Sequence, residues 1–79
     1  MSKIILYGAE WCPDCKRSMS FFDSKNIKYR YIDIDKEPGA SDKVAEINNG
    51  MKSIPTIIFE DGSVLVEPSN VELAKKIAQ

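Results

Sequence analysis

The stretch Lys3-Ile4-Ile5-Leu6-Tyr7-Gly8-Ala9-Glu10-Trp11-Cys12-Pro13-Asp14-Cys15 decides how this chain folds. Lys3 to Tyr7 is a short apolar run ended by Gly8, and such a run bounded by a turn residue reads as a buried strand. From Pro13 to about Lys25 the pattern turns helical. Cys15, Met19 and Phe22 fall at i, i+4 and i+7, one face of a helix. Pro13 suits a first helical turn, where its missing N–H has no partner to lose. Cys12 therefore stands at a strand-to-helix junction, facing the unpaired N–H groups and the positive dipole end of a helix. Both features stabilise a thiolate, the reactive form of cysteine.

The two thiols are unequal by position. Cys12 is expected at the exposed tip, and Cys15 one turn inside, above Met19 and shielded. Disulfide exchange needs such an asymmetry: Cys12 attacks, then Cys15 resolves the mixed disulfide. Asp14 opposes the thiolate through like-charge repulsion. The competing readings are an inert core pair and half of a zinc site. The chain has no histidine and only these two cysteines, so one copy cannot assemble a conventional tetrahedral Cys/His site, and no metal ligand is assigned. A C-x-x-C on a βαβ pattern favours redox chemistry.

Outward from the junction, Asn26 marks the helix stop and Tyr29 to Ile34, rich in β-formers, reads as a second strand. Asp35 to Gly39 is a polar break. Ala40 to Asn49 reads as a second helix with Val44, Ile47 and Met51 as its stripe and Asn49-Gly50 as its C-cap. Lys52-Ser53 leads to Ile54-Pro55. Thr56 to Glu60 and Ser63 to Val66 flank Asp61-Gly62, a two-residue hairpin signal. Ser69 and Glu72 form a capping box for a last helix, with Val71, Ala74, Ile77 and Ala78 inward. The order is β-α-β-α-β-β-α. Strands joined by a helix run parallel and a hairpin runs antiparallel, so the expected fold is an α/β sandwich: a four-stranded mixed sheet with helices on both faces.

At 79 residues the chain is expected to be one domain, residues 1–79. A domain this short buries only about 60–65% of its unfolded surface. A crosslink between Cys12 and Cys15 closes almost no loop and adds little stability, so the core rests on packing and the cysteines are free for chemistry. Hydrophobic residues at 43% and charged residues at 29% are ordinary for a soluble domain. The net charge of −1, with no basic stripe, argues against nucleic acid as the main partner. No apolar run approaches a membrane span. Met1-Ser2-Lys3 leads into only Ile4-Ile5-Leu6, too short for a signal-peptide core. The expectation is a cytoplasmic protein in reducing surroundings.

With these features in place the chain resembles the glutaredoxins, within the thioredoxin superfamily. The likeness rests on Cys12-Pro13-x-Cys15 after the first strand, Ile54-Pro55-Thr56 before the hairpin, and Asp61-Gly62 leading to a final helix. It is most similar to the mycoredoxin-like branch, through Asn48-Asn49-Gly50-Met51-Lys52-Ser53-Ile54-Pro55-Thr56, Asp61-Gly62-Ser63 and Glu67-Pro68-Ser69. The resemblance implies the thioredoxin/glutaredoxin fold, a cis Pro55 facing the active site, and backbone hydrogen bonds from Ile54 to substrate. Ala9 stands where many glutathione-using members carry lysine, and Val66-Glu67-Pro68 where they carry Gly-Gly. Both places belong to the usual glutathione site, so the small thiol stays open between glutathione and mycothiol. Asp14 replaces a tyrosine common between the cysteines, and Trp11 is more thioredoxin-like. The acid that thioredoxins bury beneath the active site has no counterpart in Lys3 to Tyr7.

Lys52, Ser69 and Asn70 are candidates for binding the carboxylates of a small thiol, Ser69 because helix N-termini bind anions; an exposed lysine and an ordinary cap are the plainer readings. Trp11, Pro13, Asp14, Ile54 and Pro55 complete the candidate substrate-binding set. Lys16 and Arg17 are candidates for steering anions. Tyr7 is placed either at the pocket or in the core, and Phe21 and Phe22 in the core. The expected activity is dithiol reduction of protein disulfides, or of mixed disulfides with a low-molecular-weight thiol, by a monomer that needs no cofactor. Electrons would come from the thiol or from a flavin-dependent disulfide reductase. The alternatives are a thioredoxin-like donor to protein disulfides such as that of ribonucleotide reductase, and an iron–sulfur carrier dimer using Cys12 of each chain with external thiols.

Overall fold

The first strand, β1 (Ile5–Gly8), lies at the centre of the sheet. The computed structural model describes residues 3–78; Met1 and Ser2, part of the lead-in read above, fall outside the described residues, as does Gln79. β1 pairs in parallel with β2 (Arg30–Asp33) and antiparallel with β3 (Thr56–Ile58), which pairs antiparallel with β4 (Val64–Val66). The sheet order is β2-β1-β3-β4. Strand alternation sends Leu6 and its partner Ile57 to one face, where Phe22, Phe59 and Leu73 complete a buried cluster. Tyr7 goes to the other face, with Ala40 and Val44. Helices α1 (Pro13–Ser24) and α3 (Asn70–Ile77) thus cover the Leu6 face, and α2 (Ala40–Ile47) covers the Tyr7 face. Tyr7 is a core residue.

Both of the first two helices end on an asparagine. Asn26 (φ 56°) follows α1, and the Ile27 N–H donates to the Phe22 carbonyl at 2.9 Å. Asn49 (φ 55°) follows α2, and the Gly50 N–H donates to the Ala45 carbonyl. These are left-handed caps that satisfy the last carbonyls. The second helix therefore ends at Ile47, two residues short of the expected Asn49.

Several expectations need correction, beginning with Met51, expected in the α2 stripe but lying beyond the helix and exposed. The β3–β4 connection is a three-residue loop, Glu60-Asp61-Gly62, because the Phe59 N–H donates to the Ser63 carbonyl and the Gly62 N–H to the Phe59 carbonyl, both at 2.9 Å. Gly62 takes φ 86°, the left-handed residue that closes a type I turn with a bulge. In α3 the inward residue is Leu73, with Ile77 half-buried, while Val71, Ala74 and Ala78 face solvent. The helix is rotated from the expected phase. Its start is set by the Ser69–Glu72 capping box, and Lys76 on the Leu73 side reaches Asp61 of the hairpin at 2.7 Å.

Candidate active site

Cys12 is the N-cap of α1, with extended backbone (φ −93°, ψ 109°). Its Sγ accepts the backbone N–H of Cys15 at 3.2 Å, so the sulfur itself satisfies one of the free donors of the helix start. That geometry corrects the expected exposure. The side chain turns back over the first helical turn, its own N–H donates to the Ala9 carbonyl, and only 6% of the residue is exposed. Ala9, Cys12 and Cys15 form a small buried cluster against Met19, Ile34 and Ile54.

Cys15 is fully buried, as its place one turn inside the helix implied. Burial, then the adjacent Cys12 sulfur, push its thiol up to about 12, with Asp14 adding to the rise. Cys15 is thus the protonated partner of the pair. Both cysteines are unbridged, so the structure is the dithiol form. Space for the Cys15 sulfur comes from Gly8, where a Cβ would stand 2.9 Å from Sγ. The glycine read as a strand terminator is also the floor of the site, a role that only packing reveals.

The Ile54–Pro55 peptide is cis, with Pro55 buried and Ile54 packed on the cysteine cluster. The Pro55 carbonyl accepts the Glu67 N–H at 2.8 Å, tying this segment to the approach to α3. There Ser69 and Asn70, with Asp14, Arg17 and Glu67, border an open cleft of about 470 Å³. Arg17 bridges the two helices: its guanidinium donates to Asn70 Oδ1 and to the Pro68 carbonyl, each at 2.6 Å, and lies 3.4 Å from Asp14. A guanidinium so occupied serves as a brace, and the steering reading of Arg17 loses its free cation. Pro13 and Asp14 are exposed in the first turn, and Lys52 is exposed before the cis peptide.

Toward the turn after β2, Trp11 is 67% exposed, and its Nε1–H donates to Asp35 Oδ2 at 2.7 Å. Ile34 and Asp35 are the site neighbours that the sequence reading did not single out. Asp35 lies in a polar break whose composition matches any surface turn, so no local signal marked it. Among the described residues no group of three or more His, Cys, Asp or Glu side chains is placed to hold a metal ion. Among the described residues no helix is long and apolar enough to cross a membrane.

The glutaredoxin family profile matches residues 4–64. Mycoredoxin 1 of Corynebacterium glutamicum is 31% identical over 77 residues, covering 98% of this chain and 95% of its own length. A glutaredoxin from Archaeoglobus fulgidus superimposes with a TM-score of 0.84 at 26% identity, over 100% of this chain and 89% of that one. A thioredoxin-like protein superimposes at 0.80 and 26% identity, over 92% of this chain and 97% of that one. The sheet order, the cis peptide beside the cysteines and these matches agree: the chain belongs to the glutaredoxin family of thiol–disulfide oxidoreductases, with Cys12 and Cys15 as its C-x-x-C pair.

Proposed function

We propose that this protein reduces mixed disulfides between proteins and a low-molecular-weight thiol, with mycothiol the first candidate, and reduces protein disulfides by a dithiol route. The observation that carries this reading is the inequality of the two sulfurs. Cys12 Sγ accepts a helix-start N–H, while the Cys15 thiol is buried and held protonated. The sulfur that caps the helix start is the one placed to attack, so Cys12 is the nucleophile. The sequence relationship to a mycoredoxin over nearly the whole chain supports the choice of thiol.

In the first step the Cys12 thiolate attacks the small-thiol sulfur of a mixed disulfide. A bond forms between the two sulfurs, and the target protein leaves as a thiolate that takes a proton from water. Either a second small thiol releases the first from Cys12, or Cys15 loses its proton and attacks Cys12 Sγ. The latter expels the small thiol and leaves a Cys12–Cys15 disulfide. Two electrons from small thiols or from a flavin-dependent disulfide reductase then restore the dithiol. The Ile54 backbone aligns the substrate, and the Ser69–Asn70 helix start with Lys52 receives the small-thiol moiety. No cofactor takes part, and the protein works as a cytoplasmic monomer.

The test is turnover on protein mixed disulfides of mycothiol and of glutathione, beside insulin reduction with a thioredoxin reductase. Cys15→Ser should keep most activity on the preferred mixed disulfide and lose insulin reduction. Cys12→Ser should lose both, because the buried Cys15 cannot reach substrate. A Cys15→Ser variant dead on every small-thiol mixed disulfide, with wild type active on insulin, would replace this reading with the thioredoxin-like donor.

A further inference from the structure

Trp11 is the chain's only tryptophan and directly precedes the nucleophile. An indole two-thirds exposed has little packing to hold its rotamer, yet this one is anchored at its polar edge. The Nε1–H donates to a carboxylate oxygen of Asp35 at 2.7 Å, a short bond of the charge-assisted kind. Asp35 is itself fixed: its N–H donates to Asp33 Oδ1 at 2.9 Å, while the Lys36 and Glu37 N–H groups return to the Asp33 carbonyl. A second clamp runs in parallel, from Lys36 Nζ to Glu10 Oε1 at 2.7 Å. A third joins the Ile34 N–H to the Gly8 carbonyl at 2.9 Å. The turn after β2 therefore grips the loop that carries the nucleophile through both its backbone and its side chains.

We infer that Asp35 is a positioning residue that holds the Trp11 indole as a rigid platform for the polypeptide part of a disulfide substrate. Small molecules bind in concave sites, whereas Trp11 stands out from the surface. Tryptophan is among the residues most enriched as anchors of protein–protein contact. The cleft at Ser69 and Asn70 lies on the α3 side of the first helical turn, where the proposed function puts the small thiol, whereas Trp11 is tied to the turn after β2. That leaves the Trp11 side for the protein to which the thiol is bound. This inference rests on that proposed function. A rotamer fixed before binding spares the complex the ordering of a long aromatic side chain, so the effect of Asp35 falls on KM.

The experiment compares wild type, Asp35→Ala and Asp35→Asn on a protein mixed disulfide and on bis(2-hydroxyethyl) disulfide, with tryptophan emission anisotropy read on each protein without substrate. In Asp35→Ala the ratio of the protein-substrate KM to the small-disulfide KM should rise about fivefold, the loss expected of one interface anchor, with kcat on the protein substrate little changed. Anisotropy should fall as the single indole gains freedom. Asp35→Asn keeps an oxygen acceptor and should restore both readings. In a Trp11→Phe background, which has no ring N–H, Asp35→Ala should add nothing. An unchanged KM ratio, a loss confined to kcat, or an equal effect in the Trp11→Phe background overturns the inference. Wild type inactive on every mixed disulfide would remove the proposed function and this inference together.

Discussion

Gly8→Ala places a methyl group where the structure leaves no room for one. The new Cβ would stand 2.9 Å from Cys15 Sγ, 3.1 Å from Cys15 Cβ and 3.2 Å from Leu6 Cδ2. Comfortable contacts of this kind lie at about 3.5–4.0 Å, so the sulfur must retreat by roughly 0.6 Å. Little around it yields. Cys15 is fully buried and its N–H is tied to Cys12 Sγ. Gly8 is held in register opposite Asp33, and its carbonyl is bonded to the Ile34 N–H. Gly8 is not among the left-handed glycines, so the cost is steric. Overpacking of this kind costs about 1–3 kcal/mol, and the stiffer unfolded chain offsets about 0.4–1 kcal/mol. The net loss should be about 1–2 kcal/mol, which lowers the Tm of so small a domain by roughly 5–15 °C.

Urea unfolding of the fully reduced protein measures that loss. Cys15→Ala deletes Sγ, the tightest contact, so in that background Gly8→Ala should cost about 1 kcal/mol less. An equal cost in the two backgrounds, or a stabilised Gly8→Ala single variant, would refute the argument that Gly8 exists to seat the resolving sulfur.

Two further outcomes follow from the geometry. The folded state holds the Cys15 proton up to about 12 against an ordinary 9.0. Over that interval the unfolded chain binds fewer protons than the folded one, and stability falls as pH rises through it. Urea midpoints of the reduced protein at about pH 8 and about pH 10 should show the decline, and Cys15→Ser should flatten it; an identical slope in the variant would contradict the assignment. Tyr31, also pushed up to about 12 by burial, by Asp33 and by Cys15, acts in the same direction, and the share of its shift due to burial and Asp33 is common to both proteins. Ser69→Ala removes the oxygen that accepts the Glu72 N–H at 3.1 Å and should cost about 1 kcal/mol, with Ser69→Asp largely retaining stability. Thermal melts that place Ser69→Ala level with wild type would show that α3 is set by packing alone.

Local sequence carried most features whose cause lies within a few residues, the exception being the β3–β4 loop, expected to have two residues and found to have three. Pro13 at N1 and an N-cap at Cys12 start α1, the Ser69–Glu72 box starts α3, and Asn26 and Asn49 end the other two helices. Periodicity supplied the element order, and two cysteines a helical turn apart at a strand end supplied the chemistry. What lay beyond reach depends on elements meeting across the chain. In α3, an eight-residue helix with apolar residues on more than one side, local pattern cannot choose the buried stripe. The choice of Leu73 over Val71 and Ala74 follows from docking on the Leu6–Ile57 face and from the Lys76–Asp61 pair. Cys12 was expected at an exposed tip. Its burial comes from Ile34 and Ile54, which lie 22 and 42 positions further along the chain and converge on the cysteines only when β2 and the cis-proline segment settle beside β1. The grip of Asp35 on Trp11, across 24 positions, has the same origin. Hydrogen bonds and packing act over a few ångströms of space, so residues far apart in sequence become neighbours only through the folded sheet.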